Sequence, residues 1–374
     1  MFVFYHIAVT GGNKMKVLIL TAKFGMGHIS AAKAVSEEIK KNNKDADTVT
    51  VDLMEHIYPG INKIIYKTFN LLVHKMPKLY DALLYMDAYL SKFPLRGKFA
   101  NAEIIQALVN EYKPDMIVST WLISSKYIEA YKKKTGDAVP FITCITDIIA
   151  YNEWITGSTD AYMVGDEATK QSLISRGVDP DIIYVGGIPV RPVFGKRKSS
   201  RKDADSVREV LVMGGGLGLI PKADEILTGL NDMKNTHVTV ITGGNQKLYK
   251  YLKKKHGTIE AVGYTDNVAY YMDRADVIVT KAGGSTLFES IRSEVPMFVI
   301  EPFLMQEKAN AKYIEDKQIG KVIWRSRSGG RDGLRDLICD DLMRTEMKKN
   351  MRNINKNIEE NNINNIIHSV SMCA

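Results

Sequence analysis

A short apolar run, a glycine-bearing loop and then a helical pattern form a unit that recurs along the chain and, after one break, starts again. Lys16–Thr21 leads through Ala22–Ser30 into a helical pattern over 29–42. Thr48–Leu53, Met116–Thr120, Pro140–Thr146, Ala161–Val164 and Ile182–Gly187 read as further strands, with helical patterns over 103–112, from 124 and from 166 between them. Strands that alternate with helices argue for a doubly wound parallel sheet, so the fold class is α/β. Ile188–Ser200 interrupts the pattern with two prolines, a glycine and four basic residues, as a connector between domains does. A second series follows, with strands Glu209–Met213, His237–Thr242, Ile259–Tyr264 and Val277–Thr280 and helices over 222–231 and 267–273. A chain of 374 residues fits two such domains. The expected division is 1–192, 193–345 and a helical tail, 346–374, that packs back on the first domain. The last helical pattern runs from Asp341 to Ile367.

The residues with most chemistry lie in Lys281–Ala311, which reads as loop, helix, strand, loop, helix. Gly283 and Gly284 let the backbone approach a phosphate, Ser285 and Thr286 add hydroxyls, and a helix start favours negative charge. Glu289 follows one turn on, and Gln306, Glu307 and Asn310 form a polar cluster after the next strand. This arrangement suits an anionic, hydroxyl-rich ligand such as a nucleotide sugar. Gly214, Gly215 and Gly216 end another strand and are either a surface turn or a place for N–H groups to meet a diphosphate. Gly263 and Tyr264 end a third and can offer backbone bonds to a flat base. In the first half, Gly25 and Gly27 allow a tight turn before His28, which is either a helix cap or a general base. Asp52 ends a strand at the distance of a ribose-binding acid, but Ser30 stands where a dinucleotide fingerprint has its third glycine. Asp147, at another strand end, either caps a turn or faces the cleft.

A net charge of +8 favours an anionic partner without choosing among nucleic acid, acidic lipid and phosphorylated substrate. Residues 57–100 alternate apolar residues and tyrosines with lysines. They form either domain core with a solvated basic face or helices lying on an anionic bilayer. No apolar run reaches the ~20 residues of a membrane span. The apolar start, 1–10, lacks a basic leader and a cleavage site, so no signal peptide is expected. Cys144, Cys339 and Cys373 form no metal-like cluster and suggest reduced thiols in the cytoplasm.

Six stretches in register resemble one family: MKVLILTAKFGMGHISAAKAV (15–35), TDIIAYNEW (146–154), VGGIPVRPVF (185–194), MGGGLG (213–218), TKAGGSTLFES (280–290) and QEKANA (306–311). The family is that of the monogalactosyldiacylglycerol synthases and bacterial processive diacylglycerol glucosyltransferases, in glycosyltransferase family 28. The resemblance implies a GT-B architecture, two Rossmann-like domains facing a central cleft. It implies inverting, metal-independent transfer of glucose or galactose from a UDP-sugar, with no cofactor, to diacylglycerol or glycosyl-diacylglycerol. The expected setting is peripheral, on the inner face of the cell membrane and its anionic surface, with no nucleic acid as partner. By the same resemblance His28 would be the base, with Asp147 as its orienting partner or its competitor. Glu289 would bind the ribose, and Gly283, Gly284, Ser285 and Thr286 would surround the phosphates, with Lys281, Gly27 and Gly214–Gly216 as further expected UDP-sugar-binding residues. Gly263 and Tyr264 would meet uracil, and Gln306 and Glu307 the hexose, with Asn310 supporting them. Transfer to another lipid-linked or cell-wall acceptor, epimerisation of the UDP-sugar and non-catalytic sensing remain open. Two departures stand out. Leu304-Met305 replace the family's Pro-Gly, and Tyr151, followed by Asn152, replaces a histidine.

Overall fold

The computed structural model of the protein describes residues 14–75, 101–196, 207–216, 218, 220, 223–255, 258–324 and 330–373. Outside them lie the apolar start, the 76–100 part of the basic and aromatic segment, and 197–200 of the connector.

The first sheet is parallel throughout and six-stranded, in the order β2-β1-β3-β4-β5-β6. Its strands are β1 (Lys16–Thr21), β2 (Asp47–Asp52), β3 (Met116–Ser119), β4 (Phe141–Cys144), β5 (Ala161–Val164) and β6 (Ile183–Val185). The strands β3, β4 and β5 are buried along their whole length, because helices cover both faces. Alternation along β1 shows this directly. Val17 and Ile19 join a core with Ala32, Val35 and Ile39, whereas Leu18 and Leu20 join the opposite one with Ile105, Leu108 and Phe141. The covering helices are α1 (Gly27–Asn42), α2 (Leu53–Ile57), α3 (Asn62–Lys75), α4 (Ala102–Tyr112), α5 (Leu122–Thr135) and α6 (Glu167–Ile174).

The second sheet comprises β7 (Arg208–Met213), β8 (Thr236–Ile241), β9 (Glu260–Val262), β10 (Val277–Thr280), β11 (Met297–Ile300) and β12 (Gly320–Ile323). It is also parallel, in the order β12-β11-β10-β7-β8-β9. Its helices are α7 (Ala223–Asn231), α8 (Gln246–Lys255), α9 (Val268–Arg274), α10 (Gly284–Arg292), α11 (Met305–Asp316) and α12 (Gly330–Cys339). The strand order reverses between β1 and β3 and again between β7 and β10. Such switch points leave a crevice at the carboxyl ends of the strands, where ligands of open α/β sheets bind.

The tail differs from the continuous helix that its pattern suggests. It forms α13 (Asp341–Glu360) and α14 (Ile363–Cys373), parted at Asn361 and Asn362. The Asn362 side chain accepts the N–H groups of Asn364 (3.0 Å) and Asn365 (3.2 Å), capping a new helix instead of continuing the old one. Met351 of α13 lies in the core of the second sheet, whereas Ile363, Ile366, Ile367 and Val370 of α14 complete the core of the first. Where the tail crosses, Gly186 is obligatory, because a Cβ there would run into the Asn361 carbonyl. A cavity of about 260 Å³ lies beside this crossing, bordered by the C-terminal half of α1, Ile188–Val190, Phe288 and Ile358.

Candidate active site between two switch points

On the first domain, Gly25 turns the chain at φ +76° and α1 begins at Gly27, placing His28 in its first turn. The His28 Nδ1 is 2.9 Å from the Thr120 carbonyl oxygen and 2.9 Å from Thr146 Oγ1. A carbonyl can only accept, so Nδ1 carries the proton and Nε2 keeps a lone pair. Burial pushes the imidazole down to about 4, against a smaller opposing effect of the Thr120 bond, so the ring is neutral at pH 7. Thr120 also donates its hydroxyl to the His28 carbonyl at 3.0 Å, fixing backbone and ring together. The ring is thus oriented by the loops after β3 and β4, not by the Asp147 carboxylate. Asp147 hydrogen-bonds Asn310 instead. Burial raises its carboxyl to about 7, Glu307 adds repulsion, and Asn310 and Lys281 oppose the rise.

On the second domain, α10 starts after Gly283 with no side chain capping it. The first-turn N–H groups of Gly284, Ser285 and Thr286 therefore lack intrahelical acceptors and present positive potential. This end meets the first domain directly. Ser285 Oγ donates to the Gly27 carbonyl at 3.2 Å, and a Cβ on Gly284 would fall 2.5 Å from the Thr146 carbonyl oxygen. Glu289 is buried, and Ser30 Oγ donates to its Oε1 at 3.3 Å. Burial pushes this carboxyl up to about 7, moderated by Arg191 and by the Ser30 bond.

The glycine loop after β7 lies at the same switch point. Gly214 leads it, Gly215 has φ +70° with Lys281 beside it, and Gly216 packs against Met26 of the first domain. The Gly216 carbonyl takes the Gly244 N–H at 2.9 Å. At the start of α11, Glu307 is buried between Lys281 Nζ (3.3 Å) and the Phe303 N–H (3.4 Å). The neighbouring Gln306 has a buried Oε1 without a hydrogen-bond partner. Leu304, in place of the family's proline, is buried as the residue preceding α11. Gly263 faces open space at the end of β9, and Tyr264 beside it is exposed.

Most of the residues singled out from sequence thus converge on the facing ends of β1, β4, β7 and β10. Gly263 and Tyr264 stand further out, on the edge strand. Asp52 has another role: it caps α2 through the Met54 N–H (3.2 Å) and accepts the Tyr66 hydroxyl at 2.6 Å, which removes the dinucleotide reading. Thr120 and Thr146 both fix the state of His28, yet sequence reasoning noted Thr146 only as the neighbour of Asp147 at a strand end and did not single out Thr120. Their position at predicted strand ends was the available signal.

A pair of doubly wound sheets facing each other through their switch points is the architecture of the GT-B glycosyltransferases. MurG of Acinetobacter baumannii shares this fold, with a TM-score of 0.58 and 13% identity over 96% of this chain and 99% of its own. HepE of Anabaena, solved in complex with UDP, does so with a TM-score of 0.55 and 12% identity over 96% and 99%. Residues 28–190 match the family model of monogalactosyldiacylglycerol (MGDG) synthase, and residues 209–366 match the glycosyltransferase family 28 C-terminal domain. The chain belongs to this family of glycosyltransferases. Among similar curated proteins is the processive diacylglycerol beta-glucosyltransferase of Bacillus pumilus, 27% identical over 330 residues, covering 83% of each chain.

Proposed function

We propose that the protein transfers glucose or galactose from a UDP-sugar to diacylglycerol, or to a glycosylated diacylglycerol, with inversion at the sugar carbon. The observation that carries this reading is the tautomer of His28, whose Nδ1–H is engaged by a backbone carbonyl so that Nε2 is a free base. The acceptor hydroxyl gives its proton to Nε2 as its oxygen attacks the sugar carbon. The bond to the diphosphate breaks, and the electron pair leaves with UDP. The charge that develops there is met by the start of α10, so the step needs no metal and no strong acid. The diphosphate also raises the His28 pKa from its low resting value, strengthening the base when donor is present. Glu289 accepts the ribose hydroxyls, the backbone around Gly263 meets uracil, and the unpartnered Gln306 Oε1 takes a hexose hydroxyl.

The membrane part of the reading rests on α3 and the turn before it. Tyr58, Ile61, Ile64 and Leu71 are exposed apolar residues, with the exposed Lys63 and Lys67 among them. This is the composition of a helix lying on an anionic surface. Among the described residues no helix is long and apolar enough to cross a membrane.

The test is direct. Purified protein with diacylglycerol in mixed micelles and radiolabelled UDP-glucose or UDP-galactose should yield a labelled glycolipid and UDP, unaffected by EDTA. His28→Ala should abolish this yet retain UDP binding. If neither donor is consumed in the presence of lipid, the proposal fails. Conversion of donor without any acceptor would identify an epimerase instead.

A further inference from the structure

We infer that Asn310 is a positioning residue that ties the donor-side helix α11 to His28, through the first-domain loop Thr146–Ile148. Its side chain is fully buried, and its polar atoms are engaged by both domains. The Nδ2 donates to the Ala282 carbonyl at 2.9 Å, just beyond β10. The Oδ1 accepts the Ile148 N–H at 3.2 Å, across the cleft. Asp147, one residue before Ile148, is a further hydrogen-bond partner of the same amide. Both polar atoms of Asn310 thus have partners within the protein, one on each side of the cleft.

The path continues from the loop to the base. Thr146, two residues before Ile148, places its Oγ1 2.9 Å from His28 Nδ1. Gly284 supports the same loop from below, where the lack of a Cβ lets α10 touch the Thr146 carbonyl. Asn310 lies one helical turn beyond Gln306, so a shift of α11 around a bound donor moves the loop and, through it, the ring. Groups outside the reacting atoms that fix a histidine in this way control its tautomer and basicity. The charged groups around the loop are Asp147, Glu307 and Lys281, with Glu289 on the adjoining helix.

The consequence for turnover rests on the proposed role of His28, but the coupling itself can be read in the resting protein. The His28 ring would be followed by NMR across pH, with its resonance assigned through His28→Gln. UDP affinity would be measured by calorimetry. In Asn310→Ala the freed loop should admit water, so the titration of His28 should move up from about 4 toward the ordinary value of 6.5. The transfer rate should fall by about 100-fold, as misplaced groups typically do, with UDP affinity nearly unchanged. A loss of UDP affinity with an unmoved His28 titration would overturn the inference and make Asn310 a donor contact. Thr146→Val cuts the path at its other end without changing volume, and it decides the matter should Asn310→Ala not fold. An unmoved His28 titration in Thr146→Val overturns the inference equally. Activity retained in His28→Ala would instead sink the base assignment while leaving the measured coupling intact.

Discussion

Glu289 pays an electrostatic penalty in the resting protein, because its carboxyl is buried where two domains meet and has a single hydroxyl within hydrogen-bond distance of Oε1. Its pKa is raised from 4.5 to about 7, so between those values the folded protein holds a proton that the unfolded chain has released. Stability from this group is therefore present below about pH 4.5 and lost as the pH rises through 7. Glu289→Gln should stabilise the free protein at pH 8 by on the order of 2 kcal/mol, an advantage that shrinks toward pH 5. The same change should weaken UDP binding at least ~10-fold, because an amide accepts ribose hydroxyls less strongly than a carboxylate. Melting curves at the two pH values, with calorimetric UDP titrations, check both halves. Unchanged UDP affinity would rule out Glu289 as a ribose ligand. At this scale sequence reasoning found the side chains that carry chemistry but not what tunes them. The Thr120 carbonyl that sets the His28 tautomer is a backbone group, and any residue at that position would supply one.

Among the elements, those most plainly written in the sequence are the buried strands, whose apolar runs stop where a glycine loop begins. The strand β12 carried no such signature. It starts Gly-Lys at the sheet edge and is mostly only half-buried, so its composition was free to be mixed. The break between α13 and α14 was hidden for a different reason: asparagine is tolerated within a helix and caps one equally well. Helix α3 shows how one element serves two surfaces. Ile65, Tyr66 and Phe69 face inward, with Phe24 packed edge-on against Tyr66 and Phe69 and stacked on Trp121. The outward Ile64 and Leu71 are 64% and 53% exposed, so replacing both by serine should leave the fold unchanged. The double variant should bind anionic liposomes several-fold more weakly in sedimentation, and wild-type binding should weaken as salt rises. Equal binding by variant and wild type would remove α3 from the membrane contact.

At the scale of the whole molecule, the restart of the pattern after Ile188–Ser200 disclosed two domains, but nothing in it disclosed how closely they touch. The contact is made by groups that look unremarkable in isolation: Ser30 with Glu289, Ser285 with the Gly27 carbonyl, and Gly284 beneath Thr146. Gly284→Val should therefore push the domains apart while leaving each one folded. The expected result is an increased radius of gyration in X-ray scattering, an unchanged far-ultraviolet circular dichroism spectrum and transfer reduced by roughly 100-fold. An unchanged radius of gyration would show that the interface absorbs the side chain. The crossing of the tail reaches beyond the resting architecture. Ile363, Ile366, Ile367 and Val370 close over β1 and α1, yet they are synthesised after the entire second domain. During translation the first domain emerges early and must wait, with an apolar strip uncovered, while its neighbour is made and can fold. Its completion is thereby timed by the ribosome, and the domain that holds the base is finished only after the one that holds the donor.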